Sequence, residues 1–254
     1  LTIDAGTLVN SGTKNITLAG NLSLATNGNY TKGSGTFTFD GTSKTWTDNR
    51  AAPADIGAVV IDGGGTISLG SSVKATSLNI TGSDTLNAAG TYTLTLSGSG
   101  TALTNSGTFT CSTSTVTYEG ASATTVGALN SASHYYNLIV GLSTDTGTFS
   151  YTAAGEIEAS GSVTLIAGSS GVHTLDMSTY NLSVGGGAAS TGGIAVPART
   201  VFTQTSGTTK VYSSSGTATL GGAGTTKFYD FQIGNTSDGA TYTFNLGGDV
   251  GDSN

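Results

Sequence analysis

The 254-residue chain holds one cysteine, one methionine, one tryptophan, two prolines and few charges, and each scarcity removes a class of protein. Cys111 alone forms no intrachain disulfide, and a zinc site built on several thiolates is excluded with it. Two prolines beside 40 glycines, with no Gly-X-Y period, exclude a collagen-like triple helix. Only 9% of residues are charged while 36% are hydrophobic, the reverse of the balance that keeps a chain disordered. Glu, Lys and Arg are too rare, and Gly and β-branched Thr too common, for a helical protein. No apolar run reaches the length of a bilayer-crossing helix, so no membrane span is expected. The 8 basic residues stand singly between Lys14 and Lys227 in a chain of net charge -7. Displacing counterions from phosphates needs clustered Lys and Arg, so nucleic acid is set aside as a partner.

What is abundant is small: 40 Gly, 47 Thr and 32 Ser make up nearly half of the chain. Apolar residues come in short alternating runs, such as Phe37-Thr38-Phe39, Ile67-Ser68-Leu69, Leu78-Asn79-Ile80, Val116-Thr117-Tyr118 and Phe244-Asn245-Leu246, separated by Gly, Ser, Asn and Asp. Alternation with period two places every second side chain on one face, so these read as short strands with one buried side. The fold class is therefore all-β, with many turns.

Self-comparison orders the strands. Gly35 to Gly41 recurs as Ser114 to Gly120 at an offset of 79, and Val59-Val60-Ile61 recurs at the same offset as Leu138-Ile139-Val140. Leu1-Thr2-Ile3 matches Leu78-Asn79-Ile80 and Val163-Thr164-Leu165. The expectation is one continuous repeat domain, 1–254, of three degenerate modules, 1–77, 78–162 and 163–254. Phe244 to Val250 matches Ile67 to Val73, so the residue after Asn254 would correspond to Leu78, itself the equivalent of Leu1. The chain is thus expected to meet its own beginning, head to tail, with Leu1, Ile3, Leu246 and Val250 nearest the junction.

Runs of three residues with Gly, Asn and Thr at the corners favour a repetitive parallel β-helix, or β-solenoid. The alternative is a row of tandem β-sandwich modules, but these would lack the buried tryptophan and cysteine pair, and no Pro-rich linkers separate them. The pattern Leu78-Asn79-Ile80, Leu94-Thr95-Leu96-Ser97-Gly98, Asn105-Ser106-Gly107-Thr108-Phe109, Val116-Thr117-Tyr118-Glu119-Gly120 and Tyr136-Asn137-Leu138 resembles the degenerate repeats of large secreted bacterial surface proteins. It is similar to the β-solenoid stalks of filamentous-haemagglutinin and autotransporter adhesins. That resemblance implies an extracellular or cell-surface setting and carries over no catalytic residue. The opening Leu1-Thr2-Ile3-Asp4 has no initiator Met, basic segment or apolar signal core, and reads as a processed or excerpted chain whose secretion signal lies outside it.

The residues point to no catalytic group, no metal ligand and no cofactor, and the chain is expected not to be an enzyme. Glu156 and Glu158, two apart, would share the outer face of a strand, where a solvated pair is more usual than a catalytic one. A polysaccharide-cleaving β-helix would need convergent Arg50, Arg199 and Lys210, which are far apart in sequence. His134 and His173 have no neighbours at a metal-binding spacing. Gly63-Gly64-Gly65 and Gly185-Gly186-Gly187 lack the Lys-Ser/Thr ending of a phosphate loop and read as turns. Six Asn-x-Ser/Thr triplets, at Asn15, Asn21, Asn29, Asn79, Asn181 and Asn235, match the number expected by chance and are no evidence of glycosylation. The expected function is a structural one, a segment or subunit of a cell-surface filament that continues end to end and partners with itself. The alternative is an adhesin in which Trp46, tyrosines or the stretch Ser43 to Ala58 engage surface glycans or host or neighbouring cells.

Overall fold

The computed structural model describes residues 1–186, 192–213, 217–235, 243–246 and 250–252. Among them there is no helix, and thirty short strands wind into a β-solenoid of about 10 turns. Tandem sandwiches are ruled out, because every ladder between these strands is parallel and joins one coil to the next. One return takes between 19 residues, from Thr66 to Thr85, and 31, from Val163 to Ile194. Parallel neighbours sit about 4.8 Å apart, so each return advances the stack by that distance.

Five sheets form the walls. The first has six strands, from Thr2–Val9 to Thr108–Thr110, and the second has five, from Ile16–Leu18 to Leu103–Asn105. The third has eight, from Val73–Ala75 to Thr243–Leu246, and the fourth seven, from Gly100–Thr101 to Val250–Asp252. The fifth has four, from Ile157–Ala159 to Asp230–Asn235. The first coils are therefore two-walled and the later ones three-walled. In the changeover, Tyr118 and Tyr135 lie wholly inside the core. The Tyr118 hydroxyl accepts from the Gly127 N–H (3.0 Å) and sits 2.7 Å from the Tyr135 hydroxyl, which donates to Gly127 O (2.7 Å). Burial raises the pKa of both phenols, so both stay neutral donors.

Parallel register stacks like on like. Val73, Leu94, Val116, Leu138, Val163, Ile194 and Leu220 form one interior column, coil over coil, with almost no solvent exposure. Burying each such side chain stabilises the stack by about 1.5–3 kcal/mol relative to leaving it exposed. The alternate positions, among them Thr66, Thr85 and Thr108 in one row, face outward. Asparagines at the corners tie successive coils: the Oδ1 atoms of Asn15, Asn21, Asn137 and Asn181 accept backbone N–H groups of Thr36, Thr45, Ser162 and Thr208 at 2.8–3.1 Å. This gives the triplets Asn21-Leu22-Ser23 and Asn181-Leu182-Ser183 a structural role: corner clamp, core residue, outer residue.

The structural repeat is the single coil. The match at offset 79 joins Thr36–Phe39, on the second sheet, to Thr115–Tyr118, on the third. Each of these strands pairs with a strand 22 residues further on, beginning at Ala58 and Asn137, so the match records the same two-coil rhythm on different walls. Leu1-Thr2-Ile3 opens the first sheet, while Leu78 lies on the second and Val163 on the third. The boundaries at 77/78 and 162/163 fall inside the strands Ser77–Ile80 and Ser162–Leu165.

Candidate functional sites: the open first coil and the outer walls

Among the described residues, Thr2–Val9 and Ile16–Leu18 are edge strands, paired with the coil below and with no strand above. Ile3 points inward over Leu24, whereas Leu1 and Val9 are 40% and 58% exposed. Leu8, Ile16 and Leu18 are partly buried against the core, and a trough of about 330 Å³ runs along the strand between Leu1 and Leu8. Of the four residues expected at a junction, Leu1 and Ile3 lie together on this coil. Leu246 and Val250 belong to the last strands of the third and fourth sheets, at the opposite end of the stack; their side chains lie outside the described residues.

Trp46 is not available for ligand stacking, which corrects the expectation placed on it. It is 0% exposed, stacked in register between Leu22 and Leu69, with its ring 5.5 Å from that of Phe39. The stretch Ser43 to Ala58 is correspondingly tied down. The Asp48 carboxylate, buried where Leu24 precedes it in register, takes Arg50 Nε (2.9 Å) and Nη2 (2.8 Å) and the Ala54 N–H (2.7 Å). Two other acids hold corners. Burial pulls the pKa of Asp84 upward, but N–H groups of Gly63 and Gly65 and the Thr81 hydroxyl outweigh this and leave it below its ordinary value. Asp55 is likewise lowered, its desolvation overcome by hydrogen bonds from Lys32, Ser97 and the Gly57 N–H and by the Lys32 charge.

Arg50, Arg199 and Lys210 do not converge. Arg50 sits on the third coil, bound to Asp48. Arg199 precedes a strand of the fourth sheet and donates to Gly168 O (2.8 Å), while Lys210 is on the fifth. His173 is fully buried between Phe149 and Tyr151, with Nδ1 2.7 Å from Ile166 O and Nε2 3.5 Å from Asp145. Glu156 accepts from Asn181 Nδ2 (2.8 Å) and Glu158 from the Ser131 N–H (3.0 Å), so each carboxylate braces the wall on which it stands, and the two do not face each other across a cleft. Burial raises the pKa of the Cys111 thiol, which makes it a poor nucleophile. Among the described residues no three His, Cys, Asp or Glu side chains converge as a metal site.

One arrangement was missed in the sequence. Coil stacking gathers His134, Glu158, Gly185 and Gly186, each noticed separately there, with Tyr212 around a groove of about 430 Å³ on the outer side of the fifth sheet. Nothing in the sequence marks these positions as neighbours, since they span about eighty residues and meet only through register.

Comparison of the chain with protein families, with curated proteins and with solved structures gives no match. No helix among the described residues is long and apolar enough to cross a membrane.

Proposed function

We propose that the chain is a structural segment of an extracellular, cell-surface fibre, continued past its first coil by another coil stacked on the open edge. The observation that carries this reading is the first coil itself. Its edge strand of eight residues leaves one row of backbone N–H and C=O groups unpaired, flanked by exposed Leu1 and Val9 and half-buried Leu8, Ile16 and Leu18. Exposed sheet edges bearing apolar residues template further strand pairing, and the interruption on this one is confined to the register shift between Ile3 and Ala5, at Asp4. The low charge and the resemblance of the repeats to secreted stalks support the extracellular setting.

The test is sedimentation of the 254-residue chain over a concentration series, with electron microscopy of the same samples. Association into rods in steps of about 50 Å, the length of ten stacked coils, is expected, and Leu8→Lys with Val9→Lys should return the chain to monomers. A wild-type chain that stays monomeric at the highest concentration overturns the reading.

A further inference from the structure

We propose that the groove on the fifth sheet binds a short, uncharged oligosaccharide. Its floor is the outer face of three consecutive coils, where Glu158, Ser183 and Lys210 follow one another in register. Its volume of about 430 Å³ lies in the usual range for small-molecule sites. A sugar ring presents an apolar C–H face and a rim of hydroxyls, and the groove offers a counterpart to each.

For the C–H face there is Tyr212, half-buried and flanked by bare backbone on both neighbouring coils. Gly186 stands on one side, and a Cβ there would be 3.9 Å from the ring. Gly234 is paired with Tyr212 on the next coil, and a Cβ there would come within 3.0 Å of Cε1. Glycine at both places leaves the ring beside bare backbone with no neighbouring side chain over it at these two positions. Gly185 and Gly186 also adopt φ of +87° and +93°, which bend the chain away from the strand at the rim of the groove.

For the hydroxyl rim there are acceptors and donors in fixed positions. Glu158 gives one carboxylate oxygen to the Ser131 N–H, leaving Oε1 for a ligand. The His134 ring is anchored through Nδ1 on Ser131 O (2.8 Å), so Nδ1 carries the proton in the neutral ring and Nε2 remains an acceptor. Ser160 and Ser183 add hydroxyls. The groove floor carries one carboxylate, Glu158, and one ammonium, Lys210, so its formal charges cancel and an uncharged sugar is favoured over an acidic one. Among the described residues the lining contains no aliphatic side chain that would anchor a peptide side chain.

The test is a titration of the ¹⁵N-labelled 254-residue chain with maltotriose, cellotriose, chitotriose and trigalacturonate, followed by amide shifts. At least one neutral trisaccharide is expected to give saturable shifts around 131–135, 157–160, 182–186 and 208–212, with a Kd of about 1 mM, and trigalacturonate none. Tyr212→Ala should weaken binding about tenfold, the worth of one aromatic contact, and Tyr212→Phe should retain it. Ser183→Tyr, which fills the groove from an outward position without touching the core, should abolish binding and covers the case in which Tyr212→Ala misfolds. No saturable shift with any neutral trisaccharide up to about 20 mM, stronger binding of trigalacturonate, or binding unaffected by both Tyr212→Ala and Ser183→Tyr overturns the proposal.

Discussion

Replacing Trp46 with alanine probes the stacking argument at its most heavily filled point. The side chain is 0% exposed, with Leu22 and Leu69 in register on the adjacent coils and Phe39 5.5 Å away across the core. A buried tryptophan removes about 200 Å² from water, which at about 25 cal/mol per Å² corresponds to roughly 5 kcal/mol. Measured truncations of this kind cost about 3–5 kcal/mol, because the walls of the cavity relax only in part. The backbone here is held from both sides by parallel ladders, so little collapse is expected and the upper half of that range applies. A loss of this size lowers Tm by on the order of 10 °C in a chain of this length. Circular dichroism melts of wild type and Trp46→Ala measure it, with Trp46→Phe expected to recover most of the loss. Trp46 is also the sole tryptophan, so its fluorescence reports its surroundings directly: blue-shifted emission and resistance to acrylamide are expected. A Trp46→Ala cost below about 1 kcal/mol, or emission typical of an indole in water, would refute the interior placement and the register with it.

Tyr118→Phe leaves the Gly127 N–H and the Tyr135 hydroxyl short of a partner inside the core, and should cost about 1–3 kcal/mol in urea titrations. Combined with Tyr135→Phe the losses should fall short of additive, because the two hydroxyls form one network; additive losses would argue against the bond between them. Asp84 has a folded pKa below its unfolded one, so its stabilising contribution is complete above about pH 4 and disappears as pH falls through the folded value. Thermal melts between pH 2 and pH 6 should show this loss, and Asp84→Asn should lower stability at neutral pH and flatten the acid limb. Gly28→Ala puts a Cβ 1.9 Å from Ile3 O, beside the register shift between Ile3 and Ala5. Hydrogen exchange should then speed up in Thr2–Val9 while Thr115–Tyr118 keeps its protection, since each coil contacts only its neighbours.

Much of the fold was legible along the chain. Alternating runs such as Phe37-Thr38-Phe39 and Leu94-Thr95-Leu96 identify strands and their buried sides without any tertiary knowledge, and both triplets turn their apolar residues inward. Trp46 shows the limit of that reasoning. As a lone tryptophan in a region rich in small residues it suggested a surface contact, yet the sequence Lys44-Thr45-Trp46-Thr47-Asp48 already places it on the side opposite two outward threonines. The buried Asp48 shares that inner side, and the Arg50 two residues later was the available signal that a carboxylate there would be paired.

Which wall a strand joins is a different kind of question. Leu1-Thr2-Ile3, Leu78-Asn79-Ile80 and Val163-Thr164-Leu165 are alike as strings and stand on three different sheets. The sequence by itself determined that this is an all-β chain of short strands, with apolar residues inside and Thr, Ser and Gly outside, because side-chain alternation is a local property of extended backbone. Only the tertiary structure decided the change from two walls to three, the open first coil as a surface, and the meeting of His134, Glu158 and Tyr212 at one groove. Those depend on corner lengths that vary the return from 19 to 31 residues, and a parallel ladder sums every corner before it sets which residues meet.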